Sequence, residues 1–182
     1  FVDNFDLSTF TVFGGSNNAG ETVTSSEITM NGGKAYGIVG GGYGNATVGT
    51  STITIDGGKA TYVAGGGWST DSSTTAVSLE ALKNKTTTTN VTINGGDILY
   101  AVGGGRLGYT HVETANLTIN GGNFDEIVAG GINGYTGTAK LTIDASSGKS
   151  IVTGLISSGN RGQVSNVTVN IQSLGTEGNV DL

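Results

Sequence analysis

Seven residues stand out as able to bind or react: Tyr43, Trp68, Arg106, Tyr109, His111, Tyr135 and Arg161. Tyr43, Trp68, Tyr109 and Tyr135 each come soon after a run of glycines. If those runs share a phase, the four rings line one edge of the molecule. An exposed aromatic strip is the usual means of stacking on sugar rings or anchoring a protein partner. Tyr43, Trp68, Arg106, Tyr109 and Tyr135 are therefore the candidate ligand-binding residues. The competing reading is that these rings merely pack over glycine-rich backbone.

Catalytic chemistry finds less support. His111 is the single histidine, and no Ser, Asp or Glu near it completes a recognisable nucleophile motif. Paired carboxylates of the glycosidase kind would need about 5 to 9 Å between them, for instance Asp125 and Glu126 facing Asp97. Nothing in the spacing requires that pairing, and the chain is expected not to be an enzyme. The chain has no cysteine, hence no thiolate metal site and no disulfide. The nonapeptide calcium repeat is absent as well, so no metal and no cofactor are expected. A formal charge of -6 with eight scattered Lys and Arg argues against a nucleic-acid binder, so no nucleic acid is expected.

The elements that must hold these residues repeat. Ile28-Thr29-Met30-Asn31-Gly32-Gly33 returns as Ile53-Thr54-Ile55-Asp56-Gly57-Gly58, Val91-Thr92-Ile93-Asn94-Gly95-Gly96 and Leu117-Thr118-Ile119-Asn120-Gly121-Gly122. Two eroded copies follow, Leu141-Thr142-Ile143-Asp144 and Val167-Thr168-Val169-Asn170. Each is a period-2 strand closed by an Asx corner and glycines. Seven residues after each corner comes an apolar pair: Ile38-Val39, Val63-Ala64, Ala101-Val102, Ile127-Val128 and Ile151-Val152. Asn4 stands at the same offset before Thr11-Val12-Phe13, so the period runs almost end to end.

A repeat of about 25 residues is too short for two helices with their loops, and 34 glycines disfavour helix further. It suits one coil of a parallel β-solenoid. The fold class is all-β, a right-handed parallel β-helix of about six rungs with three short strands per rung. Stacking predicts an inner ladder of Met30, Ile55, Ile93, Ile119, Ile143 and Val169, with Thr29, Thr54, Thr92, Thr118, Thr142 and Thr168 outside. The Asx residues stack at one corner as structural groups, and Gly95 and Gly121 are expected to need positive φ. One longer step, between Asp56 and Asn94, places an inserted loop at Ser69 to Thr89, with one or two helical turns around Val77, Leu79 and Leu82. From Ile171 to Leu182 the pattern fails, which reads as a cap or a transition to another module. Residues 1–182 form one domain, read as a segment of a larger surface protein because the numbering begins in mid-pattern.

Repeats of the form apolar-Thr-Ile-Asn-Gly-Gly followed by an apolar pair and three glycines, as in Asn94-Gly95-Gly96 to Gly103-Gly104-Gly105, resemble those of bacterial secreted and cell-surface β-helix proteins. These include adhesins, autotransporter passengers of the filamentous haemagglutinin type and glycine-rich surface repeats of gut bacteria. The resemblance covers nearly the whole chain and carries over no functional residue, because the shared positions are corner and core. It implies a non-catalytic module displayed outside a bacterial cell, adhesive or structural, that presents one face to a host glycan or protein. The expected state is a monomeric segment with no membrane insertion. A carbohydrate-binding or polysaccharide-degrading β-helix is the alternative. Ice binding by the Thr ladder is a minor one, weakened because only Thr52-Ile53-Thr54 offers a paired Thr-x-Thr.

Overall fold

The computed structural model describes residues 9–69, 84–149, 151–173 and 180–181. Their strands form two parallel sheets wound as one β-solenoid of about six coils, with no α-helix among the described residues. The six-stranded sheet contains β2 (Thr22–Met30), β4 (Thr47–Ile55), β6 (Asn84–Ile93), β8 (Thr110–Ile119), β10 (Tyr135–Asp144) and β12 (Gln163–Ser173), each beside the next. The seven-stranded sheet contains β1 (Thr11–Phe13), β3 (Lys34–Val39), β5 (Lys59–Ala64), β7 (Asp97–Val102), β9 (Gly122–Val128), β11 (Ile151–Ser157) and β13 (Val180–Asp181).

Strict alternation fixes the faces of the six-stranded sheet. Met30, Ile55, Ile93, Ile119 and Ile143 stand in register, and the last four are fully buried. Each such side chain contributes about 1.5 to 3 kcal/mol by leaving water. Between the inward rows, Thr29, Thr54, Thr92, Thr118 and Thr142 form the expected outward ladder. At the corner, Asn94 Nδ2 donates to Asp56 Oδ1 at 2.7 Å and Asn120 Nδ2 to Asn94 Oδ1 at 2.8 Å. The Asx corner is thus a hydrogen-bonded ladder running along the rod.

Positive φ falls on the second corner glycine rather than the first: 86° at Gly33, 101° at Gly58, 111° at Gly96 and 126° at Gly122. Gly95 and Gly121, expected in that role, do not carry it. The triglycine runs have a different cause. A Cβ on Gly65 would lie 2.7 Å from Thr89 Cβ, and one on Gly104 would lie 2.9 Å from Gly130 C. Backbone here lies directly on the neighbouring coil and on the inner face of the six-stranded sheet. Among the described residues the third side of the coils forms no full strand. It carries single parallel bridges instead, Tyr43 to Trp68, Trp68 to Arg106 and Arg106 to Ile132.

The insertion and the coils after β10 differ from expectation. The inserted loop is shorter than Ser69 to Thr89, because Asn84 to Thr89 already belong to β6 and pair with β4 and β8. The helical turns expected around Val77, Leu79 and Leu82 lie outside the described residues. After β10 the corner becomes a 3-10 turn, Ala145–Ser147, capped by Asp144, whose side chain accepts from Ser146 N. That turn absorbs extra residues, so Ile156 rather than Ile151 stands opposite Ile127. The shift carries into the last coil: Val169 pairs with Leu141, and Ile171 takes the place beside Ile143. The strand continues to Ser173, but Val167, Val169 and Ile171 are 46%, 49% and 53% exposed, so Val169 is not buried as the inner ladder predicts; β13 adds a further strand beside β11.

Candidate ligand-binding face

The seven-stranded sheet departs from simple alternation in a way that builds its outer face. Inward residues recur three apart on each strand: Ala35 and Ile38, Ala60 and Val63, Ile98 and Ala101, Phe124 and Ile127. Two residues per strand are therefore left between them, such as Thr61-Tyr62 and Leu99-Tyr100. In register across the sheet, Gly37, Tyr62, Tyr100, Glu126 and Leu155 form one such column. Beyond it Ala64, Val102 and Val128 make a second small apolar cluster, covered by Tyr100 and by Ile132 from the third side. The third-side residues thus fold back across the sheet rather than pointing away from it.

This return brings rings and a cation together. The Arg106 guanidinium carbon lies 3.2 Å from the centroid of the Tyr62 ring and 3.9 Å from that of Trp68. Tyr62 and Tyr100 stack at 5.0 Å and 14°. Tyr36 meets Tyr62 edge-on at 5.7 Å, and Phe13 links Tyr43 at 5.3 Å to Trp68 at 6.1 Å. Cation–π contacts of this kind contribute about 0.5 to 2 kcal/mol each. Arg106 is 7% exposed, and its Nη1 has no hydrogen-bond partner among the described residues.

Of the residues singled out in the sequence, Tyr43, Trp68 and Arg106 stand on one bridged column. Tyr109 and Tyr135 do not join them. Tyr135 opens β10, packs edge-on against His111 at 5.0 Å and shares a hydrogen bond with Ser165 Oγ at 2.8 Å. Tyr109 immediately precedes β8 and is half-buried. Tyr135, with His111, therefore stands apart from the column of Tyr43, Trp68 and Arg106. Sequence reasoning passed over Tyr36, Tyr62 and Tyr100. Tyr62 and Tyr100 immediately precede their apolar pairs, a fixed offset that was legible.

Two hollows open on this face. A shallow trough of about 540 Å³ runs past Lys59, Thr61, Asp97, Leu99, Phe124 and Asp125. Lys59 Nζ meets Asp97 Oδ2 at 2.7 Å, and Asn123 Nδ2 donates to Asp97 Oδ1 at 2.8 Å. The hydrogen bond to Asp97, then its charge, raises the Lys59 pKa; the hydrogen bonds from Lys59 and Asn123 hold Asp97 below the usual carboxylate range. A smaller cavity of about 200 Å³ lies beside Tyr62, Tyr100 and Arg106 and is also lined by Asn133, Asn160 and Arg161. Leu107, Asn133 and Arg161 reach it in left-handed backbone conformations, with φ of 63°, 57° and 55°. Non-glycine residues seldom adopt these angles without compensating contacts.

Glu126 does not face Asp97: Asp97 is opposite Asn123, three residues along the strand from Glu126, about 10 Å, whereas Asp125 lines the same trough as Asp97. Glu126 is buried, and its oxygens accept from Ser157 Oγ at 2.9 Å and Asn160 Nδ2 at 2.8 Å. Among the described residues no three His, Cys, Asp or Glu gather as a metal site, and no helix is long and apolar enough to cross a membrane. No protein-family model, no curated protein and no solved structure matches this chain.

Proposed function

We propose that this chain is a non-catalytic binding module that presents the outer face of its seven-stranded sheet to a glycan, in the setting of a bacterial cell surface. The observation that carries this reading is the ring array of Tyr36, Tyr62, Trp68 and Tyr100 around Arg106, beside two open hollows. Rings on a rigid parallel sheet present flat apolar faces at little entropic cost, which suits the axial C–H faces of sugars. Regular stacking supplies the rigidity, since each coil is held by both neighbours. The bacterial surface setting rests on the resemblance of the repeats. A protein partner is the second reading, favoured by Leu99 and Leu155, which are 43% and 53% exposed on the same sheet.

The test is a glycan-array and mucin-binding screen of the whole chain with Tyr100→Ala, Trp68→Ala and Thr118→Ala. Binding by the parent chain that is lost on truncating Tyr100 or Trp68 and kept in Thr118→Ala is the expected result. A central anchor of this kind is worth roughly 2 kcal/mol or more. Equal loss in all three variants would move the site to the other sheet, and release of reducing ends from any bound polysaccharide would make the chain an enzyme.

A further inference from the structure

We infer that the cavity bounded by Tyr62, Tyr100, Arg106, Asn133, Asn160 and Arg161 takes a sugar residue bearing a carboxylate or sulfate. This rests on the glycan-binding reading above and narrows it to anionic glycans.

Arg106 is a buried cation, and the only ion pair among the described residues is Lys59 with Asp97, which does not involve it. Its neighbours Tyr62 and Trp68 offset part of the loss of water through their ring faces but supply no negative charge. An incompletely neutralised cation in low-dielectric surroundings projects a positive field into the adjoining cavity. Arg161 adds a second, exposed guanidinium at the rim. The one acidic group beside them is Glu126. Both its oxygens are already engaged, by Ser157 and by Asn160, and the latter bond holds the Asn160 amide at the cavity wall. Two arginines and no carboxylate line the cavity, and Arg106 is buried, which leaves a local positive site on a chain whose formal charge is -6.

Shape points the same way. The volume, about 200 Å³, lies below the range of drug-sized sites and admits roughly one sugar ring. Tyr62 has Arg106 over its ring, which leaves Tyr100, next in the stack, as the platform for that ring. Asn133 and Asn160 stand at the cavity wall as donors and acceptors for hydroxyl groups. The backbone angles at Asn133 and Arg161, 57° and 55°, fix both residues at the rim of neighbouring coils. The acid group of the ligand meets Arg161 and the edge of Arg106 that lines the cavity, while its ring rests on Tyr100.

The test measures binding of the whole chain to three probes: an oligogalacturonate, the same oligosaccharide fully methyl-esterified, and a sulfated galactan oligosaccharide without uronate. The esterified probe keeps the rings and loses the charge. Esterification is expected to weaken binding roughly tenfold or more, as for loss of a hydrogen bond to a charged group. Raising salt from about 0.05 to about 0.5 M is expected to weaken the acidic probes alone. Comparison of the first and third probes assigns carboxylate or sulfate as the preferred acid. Arg161→Gln, at an exposed position, is expected to reproduce the loss without disturbing the melt, and Tyr100→Ala to abolish binding of all probes. Arg106→Gln serves only if its circular dichroism matches the parent. Equal affinity for acid and ester, or an Arg161→Gln variant that keeps its preference for the acid, overturns the inference while the glycan-binding reading stands. Binding by neutral glycans alone does the same. No binding to any glycan, acidic or neutral, overturns both.

Discussion

Residue by residue, the rod's interior is less uniformly apolar than its isoleucine ladders imply. One inward column of the six-stranded sheet reads Val48, Thr86, Val112, Thr136 and Val164 in register. Thr86 and Thr136 are buried, and the hydroxyl of neither has a hydrogen-bond partner among the described residues. A buried hydroxyl without a partner is destabilising, and valine has nearly the same shape. Thr136→Val is therefore expected to stabilise the chain by about 1 kcal/mol, read as a higher urea midpoint with an unchanged slope. A lower midpoint would mean that the hydroxyl is bonded in solution.

His111 gives the same scale a pH dependence. Burial first, and Lys85 with it, lowers the His111 pKa below the usual 6.5, while Glu113 opposes them. The unfolded chain thus binds a proton more readily than the folded one. The corresponding stability is present above the unfolded value and is lost as pH falls through it towards the folded value. The melting temperature is expected to drop between about pH 7.5 and 5.5, and His111→Gln to flatten that part of the curve. An unchanged slope in the variant would assign the effect to another group.

At the scale of the element, the corner divides its two glycines by task. Gly96 carries a φ of 111°, whereas a Cβ on Gly95 would only approach Asp56 O at 3.3 Å. Gly96→Ala is expected to cost about 1 to 3 kcal/mol and Gly95→Ala clearly less, measured by thermal melts of both. The reverse order would contradict the corner geometry. Such details mark the limit of what the sequence makes legible. Period-2 alternation reads off the six-stranded sheet correctly from Ile28 to Ile143, because one face is buried and a one-residue slip would invert every side chain. It fails on the seven-stranded sheet, where inward residues are three apart and Tyr62 and Tyr100 turn outward. It fails again at Ala145–Ser147, where a turn with its own length displaces Ile151 and Val169 from their expected partners. Local pattern holds the period of a coil; the path of the backbone between patterns sets which rings meet.

For the whole molecule, the two sheets serve different ends. The six-stranded sheet, with its Ile ladders and Asx corner, holds the coils in register. The seven-stranded sheet carries a folded-back third side and, with it, Trp68 and Arg106. Tyr43, Trp68 and Arg106 were legible as candidates because they follow glycine runs. Their meeting with Tyr62 and Tyr100 was not, since those residues lie on a different side of the coil and converge only through the return of the chain. The central claim is that ligand binds on this convergence and not on the threonine face. Hydroxyl-radical footprinting with and without a bound glycan tests it directly, because aromatic side chains report their own exposure. Protection of Tyr36, Tyr62, Trp68 and Tyr100 with His111 and Tyr135 unchanged is the expected result. Protection confined to His111 and Tyr135 would contradict it.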